Sequence, residues 1–154
     1  MSHTPNTPEQ VVRVAQIITG ALVMGVVLMA GIVLVGLGAL GGAPDGVLIS
    51  GLGAAFALAS FVVHLFLPSM AARQQAATAD GSQLYAVYQQ KTILGLAILE
   101  GAAFFNLVVL MIEHNWWSLA IAGGLVFWML AMFPTRTRVD HWVETQQMHN
   151  QTDG

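Results

Sequence analysis

The sequence predicts an all-α membrane protein: a four-transmembrane-helix antiparallel up-down bundle with a short C-terminal interfacial helix. Of its 154 residues, 56% are hydrophobic and only 8% are charged, and the mean hydropathy is +0.69. Soluble domains carry about 25% charged residues, so this composition indicates a bilayer environment. Four long apolar stretches separated by short connections give the helix count. We expect one membrane domain and no separate soluble domain.

The first helix follows a polar segment, residues 1–7, which we expect to be disordered. Thr7 as the N-cap, Pro8 at the first helical position and Gln10 three residues after the cap are typical of a helix start. The membrane domain is therefore placed at 8–134.

The first span is placed at about residues 12–40. The stretch 17–43 contains no charged residue, and it exceeds the roughly 20 residues that a helix needs to cross a bilayer. It is also longer than the apolar region of a secretory signal. Ala21 and Gly25 form a small-xxx-small pair, which favours close packing of helices.

The second and third spans are placed at about 47–67 and 90–112. A glycine-rich turn at 41–46 precedes the second span. Pro68 is expected to end or kink that helix because it lacks a backbone N–H, and Arg73 marks the return to water. A polar connection then leads into the third span.

The fourth span is placed at about 116–133, and residues 135–154 are expected to form a surface helix and a tail. Val139, Trp142 and Val143 have the spacing i, i+3, i+4. A short apolar stripe among polar residues is typical of a helix that lies on a membrane surface. The alternative is a frayed tail in which the tryptophan occurs by chance.

Orientation follows from the basic residues. All of them lie at the N-terminal flank, the middle connection or the C-terminal flank: Arg13, Arg73, Lys91, Arg136 and Arg138. The other two connections carry Asp45 and Glu113 and no Lys or Arg. By the positive-inside rule, both termini and the middle connection are predicted to be cytoplasmic. The predicted location is the cytoplasmic membrane.

Composition also weighs against several function classes. Five basic residues do not make the basic stripe that nucleic acid requires, so we expect no nucleic-acid partner. The absence of cysteine excludes thiolate nucleophiles and thiolate-held metals. His64 is the only deep histidine, so a bis-histidine haem would lack its second ligand. We expect no metal, no cofactor and no enzymatic activity.

Glu100 is the principal candidate for function. It lies near the middle of the third span, where a carboxylate costs about 2.5–3.5 kcal/mol on insertion scales. One hypothesis is that a protonated carboxyl hydrogen-bonds a neighbouring helix and fixes the register of the bundle. The other is that Glu100 is a proton or ion site. Asn106, six residues later, points about 120° away and is predicted to bond another helix or subunit.

His64 is the second candidate. It precedes Arg73 by nine residues, and Glu100 follows Lys91 by nine, so both lie about 13 Å from a cytoplasmic marker. They could therefore meet at one depth, with Gln16 and Thr19 of the first helix completing a polar cluster. The alternative for His64 is a neutral imidazole bonded to a backbone carbonyl.

Two runs carry a family resemblance: Ile98-Leu99-Glu100-Gly101-Ala102-Ala103-Phe104-Phe105-Asn106-Leu107-Val108 and Phe133-Pro134-Thr135-Arg136-Thr137-Arg138-Val139. Together they resemble an uncharacterised family of small bacterial four-helix integral membrane proteins. That resemblance implies a cytoplasmic membrane and no known activity. The first run also looks like the ion-carrying helix of rotary ATPase proteolipid subunits, which implies an ion at Glu100.

The sequence thus predicts a small integral membrane protein without enzymatic activity. It would be a structural or accessory subunit that packs around Glu100, as a homo-oligomer or in a larger membrane complex. The alternative is a proteolipid-like subunit that translocates a proton or Na⁺ on Glu100. Besides the lipid bilayer, no partner is identified.

Overall fold

The computed structural model describes residues 8–36, 38, 46–77, 79 and 83–152. Its helices are α1 (Pro8–Gly31), α2 (Leu48–Ala76), α3 (Gln83–Glu113), α4 (Trp116–Ala131) and α5 (Arg136–Thr152), and a π-helical turn (Ile32–Gly36) extends α1. No strand occurs in this part of the chain. The predictions for residues 1–7, including the Thr7 cap, and for most of the turn at 41–46 lie outside the described residues.

Among the described residues, three helical segments are long and apolar enough to cross a membrane: Glu9–Val35, Leu48–Ala76 and Gln83–Glu113. This confirms the expectation of an all-α chain with several helices suited to a bilayer. Helix α4 has only 16 residues and bends by 70° into α5; the two count as a fourth span only when taken together.

Helix α2 is longer than the sequence predicted. Pro68 does not end it; the helix continues for two further turns to Ala76. A proline inside a helix removes one backbone hydrogen bond, but packing by neighbouring helices can compensate for this loss. Pro68 is buried, and its ring packs beside Gly95 of α3.

The core is organised around α3, which contacts α1, α2, α4 and α5. Its buried side chains are mostly small or branched, and Leu99, Ala102, Ala103 and Leu107 are completely buried. They form one apolar cluster with Val26 of α1 and with residues of α2 and α4. The central position of α3 means that residues on its different faces meet different helices.

Helix α2 packs on α3 through a row of mostly small buried residues. They recur every three or four positions: Ser50, Gly53, Ala57, Ser60, His64, Pro68, Ala72 and Ala76. Gly53 contacts Asn106, and His64 contacts Gly95. The two helices therefore run in opposite directions, and small side chains let their backbones approach closely.

Helix α5 forms, but the two valines of its apolar stripe pack against the protein and do not face a membrane surface as predicted. Val139 and Val143 are almost fully buried, and Val143 packs with Ala76 of α2 and Leu84 of α3. A stripe at i, i+3, i+4 fits a bilayer or a protein surface equally well. Because α2 and α3 extend beyond their predicted spans, they present the apolar surface that α5 covers.

Candidate functional site

Glu100 lies deep in α3, 17 residues after the first residue of the helix and 13 before the last. Its side chain is half-buried and points towards α1, where its Oε1 atom lies 3.4 Å from the position that a Cβ at Gly25 would occupy. Within the described part of the chain, Glu100 makes no hydrogen bond. Among these residues, therefore, no hydrogen-bond donor compensates the carboxyl group.

His64 is buried at the α2–α3 contact. Its Nδ1 atom lies 2.9 Å from the carbonyl oxygen of Gly95, and since that oxygen only accepts, Nδ1 donates. On its other side, Nε2 lies 3.1 Å from the sulfur of Met132. The ring thus bridges α3 and the end of α4.

Gln16 and Thr19 have partners away from both candidates. Gln16 donates from Nε2 to the carbonyl of Pro134 at 3.0 Å, which ties α1 to the bend between α4 and α5. Thr19 is fully buried and donates to the carbonyl of Ala15 within its own helix, at 2.8 Å.

The predicted cluster of Glu100, His64, Gln16 and Thr19 is therefore not assembled. His64 meets α3 at Gly95, five residues before Glu100, and five residues rotate a helix by about 140°. Equal depth along two helices does not bring two side chains together when they face different neighbours. Glu100 faces α1, whereas His64 approaches from α2.

Asn106 lies at a helix contact. Its Nδ2 atom donates to the carbonyl of Gly53 at 3.2 Å and to the carbonyl of Ala102 at 2.9 Å. Its Oδ1 atom is buried without a partner among the described residues. The Ala21–Gly25 pair is divided: Gly25 packs against α3, whereas Ala21 is exposed.

Glu113 is a site that sequence reasoning missed. Its buried carboxylate accepts the backbone N–H groups of Ile49 and Ser50, both at 2.7 Å, and the hydroxyl of Ser50. It thereby satisfies donors in the first turn of α2 and places a negative charge at the positive end of the helix dipole. The sequence offers only a weak signal for this role, which is that Gly46-Val47-Leu48-Ile49 contains no capping side chain.

The described residues form no metal centre. Within 8–36, 46–77 and 83–152, no three His, Asp or Glu side chains are placed to hold an ion together.

Comparison with known proteins gives no match to any protein family, curated protein or solved structure.

Proposed function

We propose that this protein is a multi-pass subunit of a membrane assembly, with Glu100 specifying how its helices associate. The observation that carries the proposal is the carboxyl of Glu100 itself, placed mid-helix without a hydrogen-bonding partner in the described chain. A charged side chain in the middle of a membrane-spanning helix costs about 2.5–3.5 kcal/mol on insertion scales. A partner helix that brings a donor would offset that cost.

An open stripe on α3 offers a place for such a helix. Glu100 faces α1, and Gly95, Asn106 and Glu113 face α2. Between these two directions α3 carries a row of exposed residues at helical spacing: Leu94, Ala97, Gly101, Phe105 and Val108. Glu100 lies at the α1 edge of this row, which we call the α3 stripe.

The chemistry of the occupant follows from Glu100. A neutral carboxyl both donates and accepts, so the Glu100 of a second copy can pair with it across a symmetric contact. A hydroxyl, amide or imidazole of a different subunit can do the same. Either occupant is a transmembrane helix that places a donor at the depth of Glu100.

Photo-crosslinking tests this proposal, since the chain has no cysteine. Gly101→Cys on the α3 stripe and Leu58→Cys on α2 are each labelled with a benzophenone maleimide. Leu58 is 67% exposed and level with Gly101, because Gly53 faces Asn106 and His64 faces Gly95. We expect a protein adduct from position 101, lost with Glu100→Leu and kept with Glu100→Gln, and none from position 58.

The mass of the adduct distinguishes the two occupants: twice the chain mass identifies a second copy, and any other mass a different subunit. Adducts with lipid alone at position 101, or equal protein adducts at both positions, would overturn the proposal.

A second candidate function is proton or Na⁺ translocation on Glu100. It is favoured by the position of the half-buried carboxyl at the edge of the α3 stripe, where an ion bound by a partner subunit can reach it. We expect a hydrophobic carbodiimide to modify Glu100, with protection by Na⁺ or raised pH. Glu113, whose oxygens already accept three bonds, is the internal control. Modification without protection would exclude an ion site.

We further propose four spans in antiparallel order in the cytoplasmic membrane, with both termini on the cytoplasmic side. Supporting this, α5 begins with Arg136 and Arg138 and packs at the start of α3. The acidic residue Glu113 is the last residue of α3 and so lies at its other end. An impermeant maleimide applied to intact cells should label Val47→Cys, which is 75% exposed in the wild type, and not Met148→Cys, which is 62% exposed. Labelling of Met148→Cys and not of Val47→Cys would show that the protein has the opposite orientation in the membrane.

A further inference from the structure

A cavity of about 330 Å³ lies between α2, α3, the end of α4 and the start of α5. Ligand pockets have volumes of about 300–1,000 Å³, so this cavity can admit a small polar group. It is lined by His64, Leu65, Pro68, Ser69, Tyr88, Lys91, Thr92, Gly95, Leu96, Trp128, Met132 and Arg138.

The charge of this cavity is positive. Lys91 and Arg138 line it, and no Asp or Glu does. Within the described part of the chain, neither cation forms an ion pair, whereas Arg136 nearby bonds Glu9 at 3.1 Å and approaches Asp140 at 3.7 Å. Two of the five basic residues of the chain therefore line this one cavity, and no described residue is their counterion.

Both cations are held in place by neutral groups. The Lys91 ammonium lies 5.6 Å from the centre of the Trp142 ring, and Arg138 donates from Nη1 to the carbonyl of Ala131 at 3.0 Å. An arginine has five N–H donors and a lysine three. Most of their donors thus remain for an anion with several oxygens.

The cavity is charged at one end and mostly apolar at the other, as a lipid is at the membrane interface. Lys91 lies nine residues before Glu100, a rise of about 13 Å, which is close to half the hydrocarbon thickness of a bilayer. The ring centres of Tyr88 and Trp142 lie 5.5 Å apart here, with the ring planes tilted by 59°. Tyrosine and tryptophan are enriched at the level of the headgroups. The deeper wall holds His64 and otherwise mostly apolar residues, including Leu65, which is 47% exposed.

We propose that this cavity binds the phosphate of an anionic phospholipid headgroup, with Lys91 and Arg138 as its ligands and the acyl chains lying along α2 and α4. Basic pockets between helices at the cytoplasmic interface recognise such headgroups. A free phosphate shares the chemistry of the headgroup but would not use the apolar wall.

Native mass spectrometry of the full chain tests this proposal. The protein is delipidated in neutral detergent and titrated with phosphatidylglycerol or phosphatidylcholine. We expect preferential retention of phosphatidylglycerol, weakened about fivefold or more by Lys91→Gln and by Arg138→Gln. Arg13→Gln removes the same charge outside the cavity and should change retention by less than about twofold.

A steric variant covers the case in which a neutral variant does not fold. Ser69→Trp fills the cavity while both cations stay, and it should abolish the preference. Millimolar inorganic phosphate should not displace the lipid. Displacement would show that Lys91 and Arg138 bind a soluble phosphate, and it would overturn the proposal of a lipid ligand. Equal retention of both lipids, equal loss with Arg13→Gln, or full retention in Ser69→Trp would overturn the site.

Discussion

The carboxylate of Glu113, the last residue of α3, accepts the backbone N–H of Ser50 in the first turn of α2 at 2.7 Å. A side chain 63 residues away thus does what an N-cap residue does in most helices. Gly46 makes room for it, since its Cβ position would lie 3.3 Å from Oε1 of Glu113. The contact ties the start of α2 to the end of α3 and complements the α2 dipole.

Glu113→Gln should lower the melting temperature by several degrees, because an amide removes the charge and replaces one acceptor oxygen with a donor. That donor then faces either the N–H of Ile49 or the N–H and hydroxyl of Ser50. Glu144→Gln, an exposed carboxylate on α5, is the control and should leave the melting temperature unchanged. Melting is followed by circular dichroism in detergent. Equal effects of the two substitutions would mean that Glu113 acts only through net charge.

Much of the fold could be predicted from composition and apolar stretches. The start of α1 at Pro8 and the helical C-terminal segment follow from local residues, which report on local backbone preference. The continuation of α2 beyond Pro68 could not be predicted, because the space for the proline ring is provided by Gly95 of another helix. The docking of α5 likewise depends on how far α2 and α3 extend.

The candidate site could be predicted only in part. The depth of Glu100 and His64 follows from counting residues, but their directions depend on which helices flank α3. Since α1 and α2 approach α3 from different sides, the two side chains face different neighbours. Glu113 looked like a loop residue because its role depends on a helix start 63 residues earlier.

Gly53→Ala should destabilise the α2–α3 contact. The new methyl group would lie 3.0 Å from Oδ1 of Asn106 and 3.3 Å from Cγ2 of Val109, and overpacking of this kind costs about 1–3 kcal/mol. Gly51→Ala in the same helix meets nothing within 4 Å and should gain up to about 1 kcal/mol from helix propensity. The free energy of unfolding in mixed micelles measures both.

A double variant assigns the cause of that loss. In the Asn106→Ala background the closest contact is gone, so Gly53→Ala should cost less than in the wild type. An unchanged cost would show that Val109, and not Asn106, limits the approach of the helices.

Val143→Asp should release α5 from the body of the protein, because it places a charge among the buried residues Ala76 and Leu84. Trypsin should then cleave at Arg136 and Arg138 several times faster. Met148→Asp, at an exposed position of the same helix, should leave cleavage unchanged. Similar cleavage of the two variants would contradict the packing of α5 on α2 and α3 and would favour the predicted position of α5 on the membrane surface.

Gly95→Ala should disturb His64. A methyl group at position 95 would lie 3.0 Å from Nδ1 and 3.1 Å from Cε1 of the imidazole, so the ring must move away from the carbonyl that it now bonds. We expect a loss of about 1 kcal/mol, typical of one weakened hydrogen bond. Gly101→Ala, also in α3, adds a methyl group that has no neighbour within 4 Å. It should be neutral or stabilising.

His64→Ala isolates the contribution of the ring to this loss. Without the imidazole, the nearest remaining neighbour of the methyl group at position 95 is the Pro68 ring, at an ordinary contact distance of 3.6 Å. Gly95→Ala should then behave like Gly101→Ala in mixed-micelle unfolding, and the difference between backgrounds gives the coupling energy of the pair. A loss that persists without the ring would place the constraint in Pro68 or in the helix backbones, because both are the same in the two backgrounds.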